Sequence, residues 1–398
     1  MKRSKLVFSV FSLLLVLVLI PLMSACPAAP TPEAKTLKIG MITSLTGPLA
    51  PSFKGALDAA KPTQDLINQR GGITVDGQQY LIEIVTEDDK SSPPDAVAAA
   101  NMLIQDGIKF IIAPMFLACN IAIAPVCEEA KVIRVVAMSS DPAQFGADNP
   151  YSFDALQTAY DIGPVYDYFQ KNYPQAKKIA IIPVDDPGGI VPQDLTVKEI
   201  EKRGLETVFN EPYPVTTTDF YPIVTKALAQ KPDAIDCIFS IVPWAAAIIN
   251  SSREMGFTGP IFAPCMFGDI NILNSMVKPE YAYDIFHGSP DLLSDKMSSI
   301  VKELRPLVEQ ATGAPMLLDN SLVLTALMPM LQGIEKAQSF DTTKVVAAME
   351  GMKSVDTPWG EGKWSGEDLG FINHMMMLKD VPFSQIVNGK VEADWLRR

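Results

Sequence analysis

From residue 37 onward, short continuous apolar runs alternate with amphipathic stretches, the pattern of a buried parallel sheet carrying helices on its faces. The clearest unit lies within 107–142: a predicted strand over 109–113, a loop over 114–117, a helix over 118–130 and a strand over 132–138. Ahead of it come a strand over 37–43 and a helix over 53–68 closed by Gly71-Gly72. A strand over 80–86 then runs into Glu87-Asp88-Asp89, and a helix over 93–105 opens on Pro93-Pro94. After a turn at Asp148-Asn149-Pro150 the alternation restarts, with helices over 158–172, 193–203, 221–229 and 244–255. Strands over 179–184, 207–211, 234–240 and 260–263 separate them. Three further helices follow Ser294, then late strands near 362–364, 375–379 and 383–387, with Asn388-Gly389 as a hairpin turn. The βα order repeats without a residue-level repeat, which predicts an α/β protein of two doubly wound, Rossmann-like lobes. Ligands of such sheets bind beyond the carboxyl ends of the strands. Those places are Met115 to Ala118, with backbone N–H groups at a helix start, and Met138 to Asp141, with two hydroxyls.

The first 36 residues follow a different pattern. Lys2, Arg3 and Lys5 precede an apolar run over 6–20, and Ser24-Ala25 precede Cys26, which reads as a signal peptide over 1–25. Leu22 to Cys26 resembles a bacterial lipobox with Met23 where leucine is usual, so Cys26 is the expected lipidation site; ordinary signal-peptide cleavage is the alternative. The proline-rich residues after it predict an extended tether over 26–36. No later stretch is long and apolar enough to span a bilayer.

Composition narrows the function. Removing the leader with its three bases takes the formal charge from −13 to −16, which argues against nucleic acid and against electrostatic binding to anionic lipid. Cys119 and Cys127 lie eight residues apart on one predicted helix, roughly 12 Å between Cα atoms and too far for a disulfide. Cys237 and Cys265 could end neighbouring strands and pair, and no cysteine shows zinc spacing. Phosphate-loop, nucleophile-elbow, zinc-protease and dinucleotide motifs are missing, so neither a cofactor nor a metal is expected. Of the two histidines, His374 sits among apolar strand residues and His287 near a crossover, and both read as structural. Asp185-Asp186 reads as a solvated or cleft-lining pair rather than an acid/base pair, and no enzyme is expected.

Several short motifs occur together in order. They include Lys38-Ile39-Gly40, Ser44 to Pro48, Asn68 to Ile73, Glu87-Asp88-Asp89 with Pro94 to Ala98, and Ile111 to Pro114. Ala124-Pro125 with Glu128-Glu129-Ala130, Thr218-Asp219-Phe220, Lys231-Pro232-Asp233 and Arg253 to Gly256 continue the series. On these residues the chain resembles the class I periplasmic solute-binding proteins of ABC importers, of the branched-chain amino-acid-binding type. The resemblance implies two α/β lobes joined by a three-crossover hinge that closes over a small ligand. It places lobe 1 at 37–154 plus 288–358 and lobe 2 at 155–287 plus 359–398. It also implies an extracytoplasmic, lipid-anchored monomer working with importer permease subunits, with a ligand sensor of the same fold or a conventional branched-chain amino-acid-binding protein as alternatives.

The pocket departs from the amino-acid-binding pattern. Leu117 stands where such proteins place a serine for the ligand carboxylate, and their Ala-Thr pair falls on Ser139-Ser140. The acidic residue that holds an α-ammonium aligns with Cys265, and the aromatic expected before glycine is absent at Asp186-Pro187-Gly188. A buried ammonium without a carboxylate costs several kcal/mol, so an α-amino acid is not the expected ligand. Phe116, Leu117, Ala118, Ser139, Ser140, Asp186, Trp244, Cys265, Met266 and Phe267 are the candidate lining. They suit an apolar or aromatic body bearing one carboxylate or amide.

Overall fold

The computed structural model describes residues 34–139, 141, 144–156, 162–185, 187–238, 240–264, 268–365 and 374–397. Two large sheets organise it. In the first, strands Gln78–Asp88, Lys35–Thr43, Phe110–Ile112, Ile133–Val136, Ser152–Asp154 and Met375–Leu378 lie side by side in that order, all parallel. Antiparallel strands extend both edges: Ile73–Val75 beyond Gln78–Asp88, and Gly360–Ser365 then Val355–Thr357 beyond Met375–Leu378. In the second sheet, Glu206–Asn210, Lys178–Ile181, Ala234–Asp236, Ile261–Phe262 and Ile285–His287 are parallel neighbours. The hairpin Asp380–Val387 and Lys390–Arg397 closes that sheet in antiparallel register.

Numbered by sequence within each sheet, the first five parallel strands take the spatial order 2-1-3-4-5 both times. The repeat foreseen from the βα alternation is therefore a repeat of topology. Each sheet is buried on both faces. One face of the first packs on the helices Ala50–Gln69 and Leu322–Ala337, through Ala56, Leu66, Leu324 and Leu327. Its other face packs on Pro93–Gln105 and Leu117–Glu129, through Leu103, Cys119, Ile123 and Cys127. The second sheet does the same with separate apolar clusters around Ile248-Ile249 and around Tyr166, Phe169 and Phe262. Burial on two faces is why these strands read as unbroken apolar runs rather than as alternation.

The chain crosses between sheets three times: after Asp154, after His287, and between Leu378 and Asp380. The last crossing corrects an expectation. Residues 359–378 were expected with the second lobe, yet their strands pair within the first sheet, and the return falls at Asp380. Helix Pro187–Lys202 also begins six residues before the expected 193. Gly188-Gly189 suggested a loop, but Pro187 is tolerated in a first helical turn. Strand Ile285–His287 and helix Ile270–Met276 were not foreseen, being too short to show a period. The Asn388-Gly389 turn has positive φ at both residues, 50° and 78°, as a tight hairpin of this type demands.

Candidate functional site

In the 2-1-3-4-5 order the topological switch lies between the first and third strands, where flanking loops part and leave a crevice. In the first sheet that point separates Thr43 from Ala113, and a small void of about 10 Å³ sits there, lined by Thr43, Ala113, Met115 and Ala137. The loop leaving Thr43 is sewn to the neighbouring strand end. Ser44 Oγ donates to the buried Asp89 Oδ1 (2.5 Å), and Ser91 N donates to the same oxygen (2.8 Å). Asp88 Oδ1 accepts from the backbone N–H groups of Leu45, Thr46 and Lys90, and Oδ2 from Thr46 Oγ1 at 2.6 Å. Partial burial raises this carboxyl, but those hydrogen bonds outweigh it and hold the pKa below the usual carboxylate range. A Cβ at Gly47, whose φ is 89°, would run into the Lys90 carbonyl, so glycine is required there.

Phe116, Leu117 and Ala118 stand together at the entry of helix Leu117–Glu129. Phe116 is the N-cap residue, with extended backbone and no side-chain cap hydrogen bond of its own to the first-turn N–H groups. Its ring packs against the Leu103–Cys119 side of the core and remains half-buried, as do Leu117 and Ala118. Ser139, three residues beyond strand Ile133–Val136, is buried; its N–H donates to Asp154 Oδ2 (3.2 Å) and its Oγ accepts from Gln144 Nε2 (3.2 Å).

Beneath both lies Arg134, fully buried in strand Ile133–Val136. Its Nε donates to Ser152 Oγ (2.8 Å), one terminal nitrogen to Asn120 Oδ1 and, at 3.4 Å, to Gln144 Oε1, and the other to the Gln144 carbonyl (3.2 Å). Burial lowers its pKa to about 10, with Cys127, Glu128 and Asp154 opposing that drop, so the guanidinium stays charged at neutral pH. Nearby, burial pushes the Cys119 and Cys127 thiols each up to about 12, Asp89 adding to the first, which makes both inert.

At the second sheet, Val184–Asp185 leaves the sheet to pair with Tyr213–Pro214. The buried Tyr213 hydroxyl lies 2.8 Å from Ser240 Oγ, and Trp244 packs edge-on against the Tyr213 ring at 5.6 Å. Trp244 is half-buried in the first turn of helix Val242–Glu254. Asp185 is exposed, as a solvated strand-end carboxylate should be. At the end of the third strand, Asp236 is fully buried and its Oδ2 accepts from the Tyr166 hydroxyl at 2.8 Å. Burial pushes its carboxyl up to about 7 against the lowering effect of that hydrogen bond, and pushes the Tyr166 phenol far above its ordinary range. His287 is fully buried; burial pulls it down to about 4 against a backbone hydrogen bond at Ser289 that favours the charged ring. His374, by contrast, has partners at both nitrogens, the Ser152 carbonyl (2.8 Å) and Glu350 Oε1 (3.0 Å), and stacks on Phe153.

The fold thus gathers Phe116, Leu117, Ala118 and Ser139 at the carboxyl edge of the first sheet and puts Trp244 at the corresponding edge of the second. Ser140, Asp186, Cys265, Met266, Phe267 and the lipidation candidate Cys26 lie outside the described residues, as does the Cys237–Cys265 pairing through Cys265. The sequence reading passed over Asp88, Asp89, Asn120, Arg134 and Gln144 as site residues. One signal was available: a lone arginine inside the otherwise apolar run Val132 to Ala137 must find buried partners.

A family model described as periplasmic binding protein matches residues 36–382. A Leu/Ile/Val-binding protein of Rhizobium johnstonii is 27% identical over 205 residues, which span 50% of this chain and 53% of that protein. The chain therefore aligns with only about half the length of this relative. Among solved structures, a leucine binding protein from Thermotoga maritima is 22% identical with a TM-score of 0.68, over 91% of this chain and 99% of that one. An ABC-transporter solute-binding protein from R. palustris, in complex with 4-hydroxybenzoate, is 21% identical at the same TM-score, over 91% and 96%.

Proposed function

Because this chain belongs to the periplasmic binding protein family, we propose that it captures a small organic ligand between its two lobes and delivers it to an ABC importer. The observation that carries the reading is the convergence at one sheet edge of an uncapped helix start at Phe116 to Ala118 and the Ser139 hydroxyl, beside the void at the switch point. Backbone N–H groups at a helix start favour negative charge or a carbonyl oxygen. Phe116, Met115 and Trp244 offer apolar area for the rest of the molecule. The ligand class we favour is an apolar or aromatic carboxylate or amide. The structural neighbours support both that class and its rival, since one is a leucine binding protein and another holds 4-hydroxybenzoate.

Ligand binding would draw the lobes together about the three crossings, because a molecule touching both edges stabilises only the state that brings them close. The protein would act outside the cytoplasm, held to a membrane by acyl chains on Cys26. Mass spectrometry of protein purified from its native source tests the whole reading. The small molecules it carries should be aromatic or apolar acids or amides, and the mature protein should show the added mass of acyl chains at Cys26. In a thermal-shift series, benzoate, 4-hydroxybenzoate and benzamide should between them raise the melting temperature, whereas leucine, isoleucine and valine should not. Stabilisation by leucine alone would overturn the ligand class and leave the binding role standing.

A further inference from the structure

We propose that Arg134 is a positioning residue that fixes the helix start at Leu117-Ala118 and the Ser139 hydroxyl relative to one another, so that both meet a single ligand head group. The proposal rests on the reading of this edge as the ligand site. Three observations carry it.

The first is the route of the contacts. Asn120 belongs to the first turn of helix Leu117–Glu129, and Gln144 to the loop that follows Ser139. Arg134 donates to both, and Gln144 passes the link onward through its Nε2 to Ser139 Oγ. Helix start and hydroxyl are therefore joined by an unbroken series of side-chain hydrogen bonds with one guanidinium at its centre. The second is chemistry. A guanidinium holds five N–H donors in a rigid planar fork and can serve three partners in different directions, whereas an ammonium on a flexible stem cannot hold them in one geometry. The third is burial. Arg134, Asn120, Gln144 and Ser139 are all at most 5% exposed, so water does not compete for these donors and acceptors. The far end of the same helix is tied separately: Glu128 accepts from Ser152 Oγ at 2.6 Å and from Tyr151 N. Ser152 in turn accepts from Arg134 Nε, which places the helix carboxylate one hydroxyl away from the buried charge. Both ends of the helix thus lead to Arg134, one directly through Asn120 and the other through Ser152.

A role confined to packing and a role in positioning make different demands on Gln144→Leu, which keeps the volume but cuts the link between Arg134 and Ser139. In the full mature chain, benzoate affinity measured by calorimetry should fall about tenfold, the loss of one hydrogen bond to a charged group, and the urea midpoint should fall as well, because two buried hydrogen bonds are lost. Residue-resolved hydrogen exchange needs no ligand. In Arg134→Lys, the amides of Asn120 to Ile123 and of Ser139 to Asp141 should speed up together, while those of Lys35–Thr43 stay protected. Faster exchange in only one of the two segments, or no change in either, overturns the proposal. So does a Gln144→Leu protein with a lowered urea midpoint and unchanged affinity. If benzoate does not bind the parent protein, the ligand reading fails while the exchange result still decides the role of Arg134.

Discussion

Among the described residues each lobe buries one arginine, and the two are held in different ways. Arg134 lies under the carboxyl edge of the first sheet and reaches mostly side chains: Asn120, Gln144 and Ser152. Arg253 lies in the last turn of helix Val242–Glu254, at the other end of the second lobe's strands; its hydrogen bonds go to main chain, and its Nε has no partner among the described residues. It donates to the carbonyls of Phe257 (3.0 Å), Gly259 (2.7 Å) and Tyr283 (2.8 Å), and its guanidinium sits 4.0 Å from the Tyr283 ring centre. One arginine organises side chains at the carboxyl edge of its sheet, and the other staples loops at the opposite end of its strands. The strand ends differ as well. Asp88, Asp89 and Asp154 in the first sheet accept several hydrogen bonds each. In the second, Asp236 accepts from the Tyr166 hydroxyl on Oδ2 alone, and its Oδ1, like Oδ2 of Asp89, has no partner among the described residues. Equal topology therefore does not bring equal chemistry. The first edge is stiffened by polar contacts, while the second buries its titratable groups in apolar surroundings that disfavour their charged forms.

The sharpest way to break the comparison is Arg253→Met. Three carbonyls lose their donor and a ring loses its cation, so stability should drop by about 4 kcal/mol, read from urea unfolding, with benzoate affinity unchanged. An equal loss of affinity would mean that the second arginine also serves the ligand.

Next in size is Asp236→Asn. With a folded pKa of about 7 against 3.8 in the unfolded chain, the folded protein holds the extra proton between those values, so this residue lowers stability progressively as pH rises from 4 to 7. The full penalty, on the order of 4 kcal/mol, is present above pH 7. The variant should be more stable than its parent at pH 8 and little different at pH 4. A parent whose urea midpoint at pH 8 exceeds that of the variant would show that the carboxylate is well accommodated after all.

His287→Phe should have the smallest effect at neutral pH, within about 1 kcal/mol of the parent, because the buried ring is uncharged there. Its pH dependence is the more telling quantity. The folded pKa of about 4 lies below the unfolded 6.5, so the parent histidine costs stability as pH falls through that interval. That slope is opposite to the one from Asp236 and covers nearly the same range. In the parent the two largely cancel between pH 4 and 6.5; each single variant should expose the slope of the other. A pH-independent midpoint in both variants would contradict the assignment.

Much of this was legible in the residues. Continuous apolar runs gave away the parallel strands, and strand 35–43, helices 93–105 and 117–129 and helix 221–229 fall within two residues of their expected places. That Phe116, Leu117, Ala118 and Ser139 follow the ends of sheet strands was legible because the apolar runs stop just before them. What stayed hidden depends on contacts remote in sequence. Val355–Thr357 and Gly360–Ser365 choose the first sheet through their pairing with Met375–Leu378, and nothing local in their residues states that choice. Gln144 and Asn120 are unremarkable polar residues until Arg134 is seen between them.

The third crossing has a mechanical consequence. Lys379 alone stands between strand Met375–Leu378 of one sheet and Asp380–Val387 of the other, and it is pinned to Glu361 through its N–H (2.9 Å) and its Nζ (2.6 Å). Such a joint has almost no slack: swivelling there must come from a few backbone torsions beside one anchored residue. The 8-residue strand that follows then works as a lever, about 27 Å long at roughly 3.4 Å per residue. A turn of about 20° at its root would carry its tip roughly 9 Å, taking that strand length from. A small torsional change beside Lys379 would thereby be amplified into a displacement nearly as wide as a helix.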